Sequence, residues 1–208
     1  MKSAFQEFNR IDGQIQRSYH EAAVKMGLDI QMLLPLHGFV WRQDLGYILG
    51  KYDLWSRYEP EQRGVVIAYA SVYGGTENAA NILACRLREQ GVQVEMFDTS
   101  VTPASYILAA AFRFSHVVLA APTYNGGVFV TMENLLHDLT AHGLKGRRAA
   151  YIENGSWAPT SARGMQKLLE PLNWETAADT VTLRSALRQG QQEDLERMAA
   201  QLAESVKA

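Results

Sequence analysis

The stretch VVIAYASVYGGTEN, residues 65–78, joins an apolar run to an amphipathic segment. Residues 65–70 are typical of a buried strand, and residues 76–90 carry apolar side chains at helical spacing. Gly91 follows at the position where a left-handed helix cap favours glycine. The corner between strand and helix contains two hydroxyls, a phenol and two glycines, but no lysine and no acidic pair. We therefore predict a strand–turn–helix unit with a ligand site at its turn.

From Gly64 onward, short apolar runs alternate with segments of helical period. This alternation is typical of a parallel sheet with helices on both faces, and right-handed crossovers make such a sheet open and doubly wound. We predict an α/β fold with five parallel strands and a helical appendage at the N-terminus. The predicted strands are residues 65–70, 92–98, 116–121 and 148–153, with a last one within 176–183; the predicted helices are residues 14–26, 44–55, 76–90, 104–112, 131–141, 161–169 and 192–206.

Composition and charge exclude several classes of protein. The chain has 208 residues and 47% hydrophobic content, which is enough to bury a full core. Its 20 basic and 22 acidic residues nearly balance, so neither nucleic acid nor a membrane surface is a predicted partner. The single Cys85 excludes an internal disulfide, and no apolar run reaches the ~18 residues of a membrane span. These features favour a cytoplasmic location.

The corner after the first strand suits a phosphate group. Backbone N–H groups and the helix dipole attract an anion there, and Ser71, Tyr73 and Thr76 add hydroxyl donors. Neither the G-x-x-x-x-G-K-[ST] pattern of triphosphate sites nor the G-x-G-x-x-G pattern of dinucleotide sites is present. A terminal monophosphate is the remaining functional interpretation, and an ordinary tight turn is the structural alternative. The predicted binding residues of this loop are Ser71, Val72, Tyr73, Gly74, Gly75 and Thr76.

Two further loops are predicted at the same rim, after the third and fourth strands. Each combines polar groups and glycine with one large aromatic residue, which suits a planar ring with a hydrogen-bonding edge. Either loop alone is more often a simple turn or a packed indole. Together with a phosphate corner, however, they describe an FMN site. The predicted residues are Pro122, Thr123, Tyr124, Asn125, Gly126 and Gly127 in one loop, and Asn154, Gly155, Ser156 and Trp157 in the other.

These motifs identify a resemblance. From Gly64 to about Leu187 the chain resembles the flavodoxin-like domain of flavodiiron proteins, also called A-type flavoproteins. Its S-x-Y-G-x-T loop begins at Ser71, its P-T-x-N-x-G loop begins at Pro122, and Trp157 matches a tryptophan near the flavin of that family. The resemblance implies the strand order 2-1-3-4-5. The chain departs from many relatives in having Gly126 in place of asparagine and serine in place of glycine before the tryptophan.

The resemblance extends to the appendage. The segment LLPLHGFVWR, residues 33–42, is similar to the end of the metallo-β-lactamase-like domain that precedes the flavodoxin domain in this family. In complete members the histidine corresponding to His37 ligates iron, but the family's H-x-E-x-D-H motif does not occur in this sequence. We therefore interpret residues 1–63 as an incomplete remnant of that domain with a linker, and residues 64–208 as the FMN-binding domain. We predict no metal ligand and no catalytic side chain.

The resemblance implies an electron-transfer flavoprotein module. Its donor would be a rubredoxin or an NADH-linked reductase, its acceptor a diiron domain or chain, and its assembly a homodimer. The alternative is an NAD(P)H-dependent FMN quinone reductase on the same scaffold, against which the short connection from Pro122 to Val130 argues. A phosphoacceptor receiver domain is excluded because Ala70 and Ala121 stand where it needs acidic residues.

Overall fold

The structure, a computed structural model, describes residues 26, 27, 29–35 and 38–208. Strands and helices alternate along this part of the chain, as the sequence predicts. The helices are α1 (Leu45–Ser56), α2 (Gly75–Glu89), α3 (Ala104–Arg113), α4 (Val130–Ala141), α5 (Ser161–Leu169) and α6 (Gln189–Lys207), with a 3-10 turn at Glu170–Leu172. The strands are β1 (Gln62–Tyr69), β2 (Val94–Asp98), β3 (Phe114–Tyr124), β4 (Gly127–Val128), β5 (Arg148–Asn154), β6 (Glu175–Thr176) and β7 (Val181–Leu183).

The sheet has the predicted order. Strand β1 pairs in parallel with both β2 and β3, β3 pairs in parallel with β5, and β5 pairs in parallel with β6 and β7. The edge strand, predicted as one segment within residues 176–183, is divided into β6 and β7. At the break, the Gln201 side chain from α6 accepts from the Asp179 N–H and donates to the Asp179 carboxylate. These side-chain bonds replace strand pairing there.

The helices cover both faces of the sheet and bury two separate cores. Along β1, Val66 lies in the core under α3, α4 and α5, whereas Ile67 lies in the core under α2 and α6. Successive strand residues point to opposite faces, so this separation follows directly from the strand geometry. The predicted apolar faces of α4 and α6 are confirmed, because each of these residues is buried: Met132, Leu135, Leu136 and Leu139 in α4, and Leu195, Met198, Ala199 and Leu202 in α6.

The N-terminal segment packs against the sheet domain. Leu33 and Trp41 form a short antiparallel bridge, and α1 matches the helix predicted at residues 44–55. Trp55 and Tyr58 pack against the core under α3, α4 and α5. His37 and nearly all of the helix predicted at residues 14–26 lie outside the described residues. None of the described helices is long and apolar enough to cross a bilayer.

Candidate functional site

The corner after β1 has open helix N–H groups. Gly74 occupies the N-cap position of α2 with a φ of 79°, so the sequence uses glycine where the backbone is left-handed. The first intrahelical bond runs from the Asn78 N–H to the Gly74 carbonyl. No side chain caps the helix, so the amides before Asn78 are available to an anion. The corner thus offers the donors that the sequence predicts.

Two buried hydroxyls at this corner have unused hydrogen-bonding capacity. Within the described residues, the buried Oγ of Ser71 has no hydrogen-bond partner. Thr76, also buried, accepts a bond at Oγ1 from Asn154, and no acceptor for its own hydroxyl hydrogen occurs in the described part of the chain. Buried polar groups in folded proteins are nearly always paired, so these hydroxyls are suited to a polar ligand.

Large aromatic side chains surround the crevice and project into solvent. Tyr73 in the first loop is 96% exposed, and Trp157 in the loop after β5 is 93% exposed. Tyr124, at the end of β3, is half exposed, and its ring packs edge-on against Phe129 at 5.7 Å. Exposed aromatics of this size around a polar cleft are typical of a binding site for a flat ligand.

The second predicted loop forms a β-hairpin. Tyr124 pairs with Gly127 across a two-residue turn, Asn125–Gly126, and both turn residues have positive φ. This is the type I′ geometry that an Asn-Gly pair favours. The positive φ of Gly126 favours glycine or asparagine at that position, whereas a Cβ on Gly127 would meet only ordinary contacts. Pro122 and Thr123 belong to β3 just before the hairpin.

The second and third predicted loops are tied together. The Oγ1 of Thr123 accepts hydrogen bonds from the backbone N–H groups of Thr160 and Ser161 at 2.9 and 3.1 Å. The Glu153 carboxylate accepts the next N–H of α5, from Ala162. The N-terminus of α5 is thus already occupied by protein acceptors, in contrast to that of α2. Thr123 and Glu153 fix the rim, on which Gly155, Ser156 and Trp157 lie.

Asn154 connects the third loop to two others. Its side chain is buried, and its Nδ2 donates to Thr76 Oγ1 at 3.2 Å and to the Ser185 carbonyl at 2.9 Å. Its Oδ1 accepts from the Ser185 N–H at 2.9 Å. Both ends of the amide therefore bond to protein groups. The sequence suggests a direct ligand contact for Asn154, whereas the structure places it behind the corner.

Sequence reasoning missed the loop that follows β7. Ser185, with a φ of 68°, approaches the corner through its backbone, and its hydroxyl bonds to Ser156 Oγ at 2.9 Å. A signal was available, because a fifth parallel strand must also end at the rim. The loop after β2 was missed too, and Thr99 in it bonds to Thr131 at the start of α4.

The corner is mildly acidic on one side. The pKa of the Tyr69 phenol is raised, first by burial and then by the negative charges of Glu77 and Asp98. At neutral pH the Tyr69 phenol is protonated and can donate a hydrogen bond. Arg184, which precedes Ser185 in the loop after β7, is exposed. Within the described residues, no group of three or more His, Cys, Asp or Glu side chains is arranged to hold a metal ion.

Comparison with known proteins shows the same fold and related sequences. No family model matches the chain. A nitric oxide reductase of Moorella thermoacetica is 30% identical over 146 residues, which are 70% of this chain and 35% of that protein. The rubredoxin oxygen:oxidoreductase structure from Desulfovibrio gigas superposes with a TM-score of 0.89 at 21% identity, covering 99% of this chain and 53% of that one. A flavodoxin from Streptococcus pneumoniae superposes with a TM-score of 0.59 at 24% identity, covering 68% of this chain and 98% of that one.

The relatives are considerably longer than this chain. The chain spans 27%, 35% and 33% of the length of the first three curated relatives. The chain covers nearly all of the solved flavodoxin, so its fold is flavodoxin-like. By sequence and by fold, the chain is related to the flavodoxin-like part of flavodiiron proteins.

Proposed function

We propose that this chain binds one FMN noncovalently in the crevice and transfers electrons through it. One combination of features supports this proposal most directly. At a single rim, the orphaned hydroxyl of Ser71 lies beside an uncapped helix N-terminus, and Tyr73 and Trp157 are almost fully exposed. A phosphate ester joined to a planar ring would satisfy both the polar and the aromatic part of this rim.

The donor set fits a monophosphate. Ser71, Thr76 and the first amides of α2 would hold the phosphate with neutral donors and the helix dipole. No lysine or arginine lies in the loop from Ser71 to Thr76, so this loop itself supplies no cation that would offset the charge of a second phosphate. The hairpin at Asn125 and the indole of Trp157 would flank the ring.

Bound FMN supplies one- and two-electron redox chemistry, and the protein tunes it by hydrogen bonds and local charge. No side chain need act as a general acid or base. The tie between Thr123 and α5 holds the ring-binding loops in one arrangement. The Trp157 indole, on the same rim, would limit water at one edge of the ring.

The electron path and the domain assignment belong to the proposal. We infer a rubredoxin or an NADH-linked reductase as donor and a diiron domain or chain as acceptor, in the cytoplasm. Residues 1–63 would be the end of a metallo-β-lactamase-like domain. The exposed apolar side chains of Leu34, Phe39 and Val40 favour a homodimer, for which light scattering should report twice the monomer mass.

The test is to purify the protein, record its visible spectrum and titrate the apoprotein with FMN. We expect the absorption of an oxidised flavin and release of FMN on heating. Trp157→Ala should raise the FMN Kd about five- to tenfold through lost stacking. Tyr47→Ala, which removes an exposed aromatic side chain of α1 outside the three loops, should leave the FMN Kd unchanged. A colourless protein that fails to bind added FMN would refute the proposal, and rapid bleaching by NADPH with quinone turnover would favour the quinone reductase alternative.

A further inference from the structure

We propose that Asn154 is a positioning residue that orients the Thr76 hydroxyl toward the phosphate of the ligand. The inference rests on the proposed FMN site and deepens it. Asn154 acts on the ligand only through Thr76, and the backbone of Ser185 holds Asn154 in place.

The Ser185 backbone fixes the orientation of the Asn154 amide. The Ser185 N–H donates to Asn154 Oδ1, and Asn154 Nδ2 donates to the Ser185 carbonyl, each at 2.9 Å. A flipped amide would place two acceptors together and two donors together, so only one orientation is favourable. The second hydrogen of Nδ2 is then directed to Thr76 Oγ1 at 3.2 Å.

The bond from Asn154 determines what the Thr76 hydroxyl can do. A hydroxyl has one hydrogen to donate and two lone pairs with which to accept. Because Asn154 occupies a lone pair, the hydrogen points away from Asn154. Accepting a bond also polarises the hydroxyl and strengthens it as a donor. Thr76 is the second residue of α2 and lies among its uncapped amides, so a phosphate at this helix end is the acceptor that this hydrogen needs.

The same clamp holds the Ser185 carbonyl against the phosphate corner. A Cβ on Gly75 would lie within 3.0 Å of this carbonyl oxygen, so the loop after β7 closes directly over the start of α2. Asn154 Nδ2 donates to this carbonyl, so the same side chain that holds the loop after β7 in place also reaches Thr76.

The test compares the binding of FMN and riboflavin, which differ only in the phosphate. Asn154→Ala should raise the Kd of FMN about tenfold and change the Kd of riboflavin less than about twofold. Asn154→Asp preserves the side-chain volume but loses the donor, so the Thr76 hydroxyl would turn toward the new carboxylate. That variant should weaken FMN more than the alanine variant does, again without affecting riboflavin.

A double-mutant cycle with Thr76→Val tests whether Asn154 acts through Thr76. In the Thr76→Val background, Asn154→Ala should change the FMN Kd less than about twofold, because no hydroxyl remains to be oriented. Thr182→Val is the matched control. It removes a neighbouring hydrogen bond between β7 and β5, from Thr182 Oγ1 to Glu153 at 2.9 Å, without touching Thr76. It should leave the ratio of the two dissociation constants unchanged.

Two results would overturn the inference while leaving the FMN site intact. One is an equal loss of FMN and riboflavin binding in Asn154→Ala, which would indicate a general loosening of the loops. The other is a rise of about tenfold in the FMN Kd when Asn154→Ala is added to Thr76→Val, the same rise as in the wild-type background. A wild-type protein that binds neither ligand would instead refute the proposed function, and this inference with it.

Discussion

Ser71 shows how one residue exchanges stability for binding. Its Oγ is buried and unpaired within the described residues, which is unfavourable in the ligand-free protein. Ser71→Ala should therefore leave the free energy of unfolding of the apoprotein unchanged or raise it by up to about 1 kcal/mol. The same change should raise the FMN Kd about tenfold, because a donor to the phosphate is lost. Urea unfolding of the apoprotein and FMN titration measure the two effects.

Ser161 provides the control for Ser71. Ser161 is a buried serine whose Oγ donates to the Ala121 carbonyl at 2.7 Å. Ser161→Ala should lower the free energy of unfolding by about 1–2 kcal/mol, because it leaves a buried carbonyl without that donor. If Ser71→Ala proved as destabilising as Ser161→Ala, the Ser71 hydroxyl would have a protein partner after all, and its assignment to the ligand would be wrong.

At the scale of elements, periodicity predicted most of the sheet domain. The helix near residues 161–169 is correct at both ends, and the other helices between Gly75 and Lys207 begin and end within about three residues of their predicted limits. The periodic spacing of apolar residues and the glycines that end helices are local signals, and they are enough to locate these helices. The division of the edge strand was not predictable, because it depends on Gln201 of a distant helix meeting Asp179.

The site was predictable only where its signal is local. A glycine pair before a helix and an Asn-Gly turn are visible in sequence, so the loops at Gly74 and Asn125 were found. The role of Asn154 depends on Ser185, which is distant in sequence and approaches through its backbone. Backbone donors and acceptors carry no residue signature. Their part in a site becomes visible only in three dimensions.

The pairing of β3 with α6 predicts a pH dependence of stability. His116 is buried at the amino end of β3, and its ring nitrogens bond to Ser115 Oγ at 2.8 Å and to Ser205 Oγ of α6 at 2.9 Å. Burial, followed by the nearby charges of Arg148 and Arg63, lowers the pKa of His116 to about 4 from its ordinary 6.5. The unfolded chain therefore binds this proton in a range of pH where the folded chain does not.

The sign of the effect follows from this difference. As the pH falls from 6.5 to 4, protonation of His116 in the unfolded state increasingly favours unfolding. The stability that neutral His116 contributes to the folded protein is therefore complete above pH 6.5 and is lost toward pH 4. We expect a loss on the order of 2 kcal/mol across this window, measured by urea unfolding. His116→Gln keeps hydrogen-bonding groups but does not titrate, so the free energy of unfolding of this variant should not show this loss between pH 6.5 and 4. Identical pH profiles for the two proteins would contradict the prediction.

At the scale of the whole molecule, the two ends of the sheet have different roles. The carboxyl end carries exposed aromatics and the Ser71 hydroxyl, which has no partner within the described residues, and these features suit a ligand. The amino end is closed by buried polar groups that join distant segments, of which Arg147 is the largest. Its guanidinium donates to the carbonyls of Ala111 and Phe112 at the end of α3 and to that of Tyr58 in the N-terminal segment. Arg147 thus connects the appendage to the domain.

Loss of Arg147 should destabilise the whole molecule, since it would leave several buried carbonyls unpaired. The residue is 2% exposed and burial lowers its pKa to about 10, so it stays charged at neutral pH while bonding to backbone acceptors. We expect Arg147→Ala to lower the free energy of unfolding by at least about 3 kcal/mol and to open the segment around Tyr58 to proteolysis. Arg197→Ala, which removes an exposed ion pair with Asp194, should cost less than about 1 kcal/mol. Equal effects of the two substitutions, or a Tyr58 segment still resistant to protease in Arg147→Ala, would mean that the apolar contacts of Trp55 and Tyr58 alone hold the appendage in place.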